Sequence, residues 1–273
     1  MIERKYIALV SDQHVTEPAT KLVGRDTNAA VQKLVEALKQ ETLPELFLSL
    51  GDVADTAKNP NRFEATATEE SYRLVQDMLS ELSLPKLTVA GNHDHPQLLD
   101  EAFPSLWHDA RHGVARFPFH GVEIVRVDAR TGPEATGFVS REALKELERV
   151  LESIATKAIL VCHYPLVGMD NGFIDSDLSV TNRDQLAPLF YRYKDKIAGI
   201  YSGHLHEWIA GSQGGLPVTS VPSSSFGFKL EPMTSQMEVS SSAPCGYLLL
   251  GVGEDGSVLS RYRFLKGVTA KAE

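Results

Sequence analysis

Apolar residues occur along this chain in short unbroken runs bounded by turn residues: YIALVS (6–11), LFLSLG (46–51), LTVAGN (87–92), VEIVRVD (122–128), AILVCH (158–163) and IAGIYSG (197–203). Runs that do not alternate with polar residues suit strands covered on both faces, as in parallel sheets. Helical periodicity fills several of the gaps. Residues 26–40 put Ala30, Leu34 and Leu38 on one stripe beside Val31 and Val35, with Asp26 or Thr27 as the cap. Residues 69–82 follow Thr68 with Tyr72, Val75, Met78, Leu79 and Leu82, and residues 141–154 follow Ser140 with Leu144, Leu147, Leu151 and Ile154. Residues 182–193 follow Thr181 with Leu186, Leu189, Phe190 and Tyr193. From about residue 217 the pattern changes: PVTSVPSSS, CGYLLLGV and SVLSRYRFL read as strands without intervening helix, GEDG being a hairpin turn. Strand–helix alternation followed by a strand-rich tail predicts a layered α/β fold with either a mixed sheet or two packed sheets.

With 273 residues and 42% hydrophobic content the chain can bury one large core, and no composition shift marks a seam. The expectation is one domain over 1–273, with 217–273 as its strand-rich C-terminal part. A net charge of -9 and the lack of any Lys/Arg cluster argue against a nucleic-acid polymer as partner, since that mode of binding neutralises phosphates. The two cysteines, Cys162 and Cys245, lie in apolar runs, which speaks against a disulfide framework and for a reducing compartment. The N-terminus enters a strand at once and no apolar stretch is long enough to span a bilayer, so the expected location is the cytoplasm, with no membrane partner. Oligomeric state is left open, a homo-oligomer included.

The polar residues change the picture. Asp12 and His14 follow the first run, Asp52 the second; Asn92 ends the third, with His93 and Asp94 after it; His163 ends the fifth, and His204 and His206 follow the sixth. All fall at the carboxyl ends of predicted strands, the edge at which open α/β sheets bind ligands. Five of the nine histidines are in these segments, a concentration that scattered surface histidines would not show. Imidazole with carboxylate and without thiolate suits borderline divalent ions and the metal-assisted hydrolysis they support. In an extended segment residues i and i+2 face the same way, so Asp12 with His14, and His204 with His206, should each aim two ligands at one place. Glycines 51, 91 and 203 immediately precede ligands, where the chain needs close approach. His95, His108, His112 and His120 read as loop or surface residues, His95 at a pocket rim; Asp55 and Asp128 read as cap or turn groups, and Tyr164 and Cys162 as packing.

In order, DQH, GD, GNHD, CH and GHLH match the five-part pattern of the calcineurin-like metallophosphoesterases, and the chain resembles that family over residues 12–206. The stretch DARTGPEATGFVSREALKELERVLE and the C-terminal strands are similar to the class III cyclic nucleotide phosphodiesterase branch. CHYPL departs from that branch, which often carries a second histidine and two prolines there, and this loosens the tie to cyclic nucleotides while leaving the metal centre untouched. The resemblance implies a four-layer αββα fold, a two-sheet sandwich flanked by helices. It implies one metal held by Asp12, His14, Asp52 and His206, and a second by Asp52 as bridge, Asn92, His163 and His204. The ions would be two divalent transition metals drawn from Mn, Fe, Zn or Co, with a metal-bound hydroxide attacking phosphorus. His93 is implied as the proton donor to the leaving oxygen, oriented by Asp94. The implied substrate is a small anionic phosphodiester of cyclic nucleotide or glycerophosphodiester type. A phosphomonoesterase or nucleotide pyrophosphohydrolase on the same centre, and a non-catalytic protein-binding scaffold, are the alternatives. Loops 54–69, 168–182 and 223–242 are expected to contact the organic part of the substrate.

Overall fold

The computed structural model describes residues 3–56, 67–229, 238–240 and 243–268. Among these, β1 (Arg4–Val10), α1 (Thr27–Gln40), β2 (Pro44–Ser49), α2 (Glu69–Ser80), β3 (Lys86–Thr88) and α3 (Pro96–Ala102) make the first half. A hairpin follows, β4 (His108–Arg111) and β5 (Val114–Phe119), then β6 (Val122–Val127), α4 (Arg141–Ser153), β7 (Lys157–Cys162), α5 (Gly172–Asp177), α6 (Arg183–Arg192) and β8 (Ile197–Ser202). The tail is all strand: β9 (Ile209–Gln213), β10 (Leu216–Ser220), β11 (Gly227–Lys229), β12 (Glu238–Ser240), β13 (Gly246–Gly253) and β14 (Val258–Phe264).

Two main sheets result, ordered β14-β13-β1-β2-β3 and β4-β5-β6-β7-β8-β10-β9, with β11–β12 a separate pair. The apolar runs serve both faces of their sheets, as their lack of alternation predicts. In β1, Ala8 and Val10 join Val31, Leu34 and Leu38 of α1 and Tyr72, Val75 and Leu79 of α2. Ile7 and Leu9 of the same strand pack between the sheets with Leu48, Ile124, Ile159 and Leu250. In β7, Leu160 and Cys162 face Leu147 and Leu151 of α4 and Leu186 of α6, while Ile159 and Val161 face the first sheet. Helices therefore cover both outer faces and the four layers are αββα, two sheets rather than one mixed sheet. Among the described residues no helix is long and apolar enough to cross a membrane, and Cys162 and Cys245 are free and buried.

Helix starts agree with the capping signals at three of four places. Asp26 accepts from Ala29 N, Thr68 from Ser71 N within a capping box, and Ser140 from Ala143 N. At α6 the cap moves from Thr181 to Asn182, because the Thr181 hydroxyl donates to Gly137 O and the Asn182 amide bonds both the N–H and C=O of Val139. The short α3 and α5 and the β4–β5 hairpin carried too little periodicity to be read from sequence. The run PVTSVPSSS is a strand only to Ser220; beyond it the chain crosses beneath Asp12, with Ser224 N bonded to Ser11 O.

The layer between the sheets holds them in register, so Leu48→Ala should lower the unfolding free energy by about 2–5 kcal/mol, the usual cost of a buried Leu truncation. Urea unfolding compares it with Leu259→Ala on exposed β14, expected to change stability by no more than about 0.5 kcal/mol.

Candidate metal centre

β1, β2 and β3 run parallel in one sheet and β7 and β8 run parallel in the other, so the loops after them leave in a common direction. They meet: the backbone N–H of His204 donates to the Asp12 carboxylate at 3.1 Å, and Gly203 N to His163 O at 2.9 Å. Asp12, His14, Asp52, Asn92, Asp94, His163, His204 and His206 are all buried, and His93 is half-buried.

Three sets of side chains bring donor atoms within 4.8 Å of one another: Asp12, His14 and His206; Asp52, His163 and His204; and His14, Asp52 and His93. Asp52 joins the first two, its Oδ2 lying 3.6 Å from His14 Nε2 and 3.4 Å from His163 Nε2. Asn92 Oδ1 is 3.1 Å from His163 Nε2. Extended backbone is not what gathers them, contrary to the i, i+2 expectation. Asp12, His14, Asp52, His204 and His206 all have φ between 47° and 69°, in the left-handed region. Each such residue turns the chain sharply, and His204 and His206 consequently serve different donor sets. Close approach decides the glycines: a Cβ on Gly91 would meet Asp52 Oδ1 at 2.1 Å, and one on Gly51, itself at φ +107°, would meet His163 Nδ1 at 2.6 Å.

Each of the four imidazoles in the first two sets has an oxygen acceptor on its far nitrogen. His14 Nδ1 faces Asp55 Oδ2 at 2.8 Å, His163 Nδ1 faces Leu50 O at 2.8 Å, His204 Nε2 faces Ala135 O at 2.8 Å, and His206 Nδ1 faces Phe226 O at 2.9 Å. A nitrogen facing a carbonyl or carboxylate must carry the proton, which leaves the other nitrogen with a lone pair directed into the site. His14 Nε2 and His206 Nε2 are 3.1 Å apart, as are His204 Nδ1 and His163 Nε2. Lone pairs so close repel unless a cation or a proton lies between them.

Burial pushes the Asp12 carboxyl up to about 6, with Asp52 adding to the rise and His163 and His14 opposing it. Burial acts the same way on Asp52, but the charges of His163, His93 and His14 outweigh it and hold that carboxyl well below the ordinary range. His163 is raised to about 9, burial opposing and Asp52 prevailing. His204 is brought down to about 3 by burial and by His163, and burial with His14 lowers His206 as well. Carboxylates, four imidazoles of which His204 and His206 are held neutral, and an amide oxygen, without thiolate, make a donor set that suits divalent transition ions, with the raised His163 giving up its extra proton when a cation binds.

Asp55 departs from its expected turn role. It does accept from Thr56 N, but its carboxylate also spans His14 and His93, with His93 Nδ1 3.2 Å from Oδ1. The contact expected between Asp94 and His93 is made by Asp55 instead. The carboxylate of Asp94 turns inward and accepts from Val53 N, Ala54 N, Gly91 N and Tyr72 Oη, stapling the loop after β2 to the loop after β3. Adjacent residues point to opposite sides of this turn, so only one of His93 and Asp94 can face the site. Asp55 reads from sequence as a turn group and Tyr72 as part of a packing stripe, and nothing local marks Phe226. The spacing of Asp55 three residues after Asp52 was a readable signal; Tyr72 on a helix and Phe226 in the tail gave none. Phe226 covers the site, its ring centroid 4.4 Å from that of His206 and 5.2 Å from that of His14, with Phe228 4.5 Å from His206.

His95 caps α3 through Leu98 N, and His108, on β4, is exposed, as is His112 in the turn that follows. Asp128 accepts from Arg130 N as a turn residue, and Tyr164 packs edge-on to His163 while donating to Glu134 O. Of the loops expected to contact substrate, residues 57–66, 230–237 and 241–242 lie outside the described residues.

The chain matches the sequence profile of the calcineurin-like phosphoesterases over residues 5–208. It is 26% identical over 223 residues to a probable cyclic nucleotide phosphodiesterase of Ruthia magnifica, covering 81% of this chain and 87% of the other. It is 24% identical over 208 residues to a probable glycerophosphodiester phosphodiesterase GpdQ of Arcobacter nitrofigilis, covering 73% and 71%. In fold it is similar to a dimetal phosphatase from Danio rerio, with a TM-score of 0.62 at 13% identity over 94% of this chain and 98% of that one. The profile spans well over half of the sequence and takes in every residue of the converging loops, so the chain belongs to the calcineurin-like phosphoesterase family and is a metal-dependent phosphoester hydrolase.

Proposed function

We propose that this protein hydrolyses a small anionic phosphodiester, of cyclic nucleotide or glycerophosphodiester type, at a binuclear metal centre. The observation that carries the reading is Asp52, whose single Oδ2 stands between His14 of one donor set and His163 of the other. One ion would be held by Asp12, His14, Asp52 and His206, and the other by Asp52, Asn92, His163 and His204. When bound, such ions supply Lewis acidity at the phosphoryl oxygens and a nucleophile available at neutral pH. The diester preference is supported by the names of the two relatives.

The chain's own residues prepare the site for that chemistry. Carbonyls and the Asp55 carboxylate fix the four imidazoles in one tautomer and orientation, so they lose no freedom on binding a cation. His93 is the one histidine in the cluster left to move a proton. Its Nδ1 lies beside Asp55, which steadies the charged ring and leaves Nε2 to donate to the leaving oxygen. Phe226 and Phe228 keep bulk water from the His206 side, where lower polarity strengthens each electrostatic contact.

The reading is tested first by substrate class. Purified protein loaded with Mn, Fe, Zn or Co is expected to turn over bis-p-nitrophenyl phosphate and cyclic AMP with higher kcat/KM than p-nitrophenyl phosphate, and to lose activity on chelation. A monoester cleaved tenfold faster than either diester would displace the phosphodiesterase reading in favour of a monoesterase.

The shared carboxylate gives a second test. Asp52→Asn should empty both positions and abolish turnover, whereas His14→Ala should lower metal content by about one ion per chain. Elemental analysis of the two variants distinguishes these outcomes, and equal mild losses would argue against a bridge.

Proton transfer is separable from metal binding. His93→Ala should retain its metals and lose about 10²–10⁴-fold in turnover of an alkyl ester, the range typical of a general acid, with a smaller loss on a p-nitrophenyl ester whose leaving group needs less protonation. Asp55→Asn should show the same leaving-group selectivity in milder form through His93, together with weaker metal retention through His14. A parallel loss on both substrates would remove His93 from the role of acid.

A further inference from the structure

Beside the Ala90–Pro96 turn lies a partly open cavity of about 110 Å³, and none of the seven proposed metal ligands lines it. Three cationic side chains reach it, Lys86, Arg126 and Arg130, against two carboxylates, Asp100 and Asp128. That local excess of positive charge stands out in a chain whose net charge is -9.

The three cations differ in how far they are already used. Lys86 donates to the carbonyls of Leu82 at 2.8 Å and Leu84 at 3.1 Å. Arg130 makes one long bond from Nη1 to Asp94 O at 3.4 Å, and its Nε is buried without an acceptor. The Arg126 side chain makes no hydrogen bond or ion pair with any described residue, and its Nε is likewise buried and unpaired. A guanidinium offers five donors in a fixed fork, and leaving a buried one such as Nε–H unmet is costly. Burial is also the main influence lowering the Arg126 pKa, with Asp128 and Asp100 opposing it.

Arg126 cannot easily turn elsewhere. It sits on β6 between Val125 and Val127, whose side chains are locked in the core under α4. Its own side belongs to the layer between the sheets, where the guanidinium lies 5.4 Å from the Trp107 ring centroid. Trp107 is in turn fixed by a 2.9 Å bond from Nε1 to Thr88 O. The fork is thus pre-set toward the cavity.

We propose that this cavity is a second anion site, in which Arg126 and Arg130 bind a phosphate-type oxyanion separately from the hydrolytic centre. At about 30 Å³ per water the space holds roughly three or four waters, enough for a tetrahedral oxyanion and too little for a nucleoside. The anion can come from free phosphate or from the phosphate of a nucleotide. In the second case the nucleoside lies in the adjoining open groove along Gln76, Asp77 and Leu84, which shares Lys86, Phe103, Pro104 and Leu106 with the cavity. The Arg130 bond to Asp94 O ties the site to the turn that carries Asn92 and His93.

Calorimetric titration of the full chain at constant ionic strength, metal-loaded and chelated, tests this with two probes, inorganic phosphate and AMP. Chelated protein is expected to bind one phosphate per chain, and Arg126→Met to weaken that binding at least tenfold with Arg126→Lys retaining part of it. Arg130→Gln should weaken it as well, and it serves as the deciding variant should Arg126→Met fail to fold in a thermal scan. Binding of phosphate identifies the free anion as a sufficient ligand; binding of AMP alone identifies a nucleotide. The site is overturned if chelated protein binds neither probe, or if folded Arg126 and Arg130 variants bind as the parent does. Because the readout is binding to chelated protein, its failure leaves the hydrolytic reading standing, and failure of that reading leaves this site standing.

Discussion

Carboxylates and inward-facing imidazole lone pairs repel one another when crowded out of water, and the rest of this structure is organised around holding six such side chains together. At about 3 Å between ring nitrogens, and with Asp12 and Asp52 both buried, the cluster is costly by itself. A bound cation would convert each of those contacts from repulsion into ligation. The far nitrogens of four histidines are each matched to an oxygen, so the repulsion cannot be relieved by turning a ring without leaving a buried N–H unpaired.

The backbone shares that burden. Five of the candidate ligands sit in the left-handed region, where a residue with a side chain costs of order 1–3 kcal/mol when held at a functional site. Such geometry persists only if the surroundings over-determine it. Here they do: Asp12 N and His14 N are bonded to Gly51 O and Asp52 O, while the hydroxyls of Ser223 and Ser225 both donate to Asp12 O. The strand-rich tail therefore has a part in the site, since residues 221–226 run beneath the loop after β1 before the chain returns as β13.

Asp55 and Asp94 show how one residue type divides two tasks. Asp94 is fully buried and bonded to three backbone amides and a tyrosine, so it fixes where one loop lies against another. Asp55 meets two imidazoles and couples the orientation of a proposed ligand, His14, to that of the proposed acid, His93. Both are short acidic side chains at strand ends. Only their surroundings separate them.

Much of this was legible in the sequence because it depends on local pattern. Unbroken apolar runs identified β1, β2, β6, β7 and β8, since a strand covered on both faces has no polar side to display. Four stripes at helical spacing located α1, α2, α4 and α6, and the polar residues placed after the runs marked the rim of the site. What the sequence left open was set by contacts between segments far apart in the chain. The residue pattern allowed one mixed sheet or two and only the family resemblance implied two, because the choice rests on Ile7, Leu9, Ile124 and Ile159 meeting across a gap that no local period encodes. The i, i+2 rule anticipated that Asp12 and His14 would converge, yet the left-handed turns that bring this about are imposed by hydrogen bonds from the loops after β2 and β10. The partner of His93 was settled the same way: sequence adjacency favoured Asp94, and the fold supplied Asp55, because a tight turn sends neighbouring side chains to opposite sides while two loops from parallel strands lie face to face.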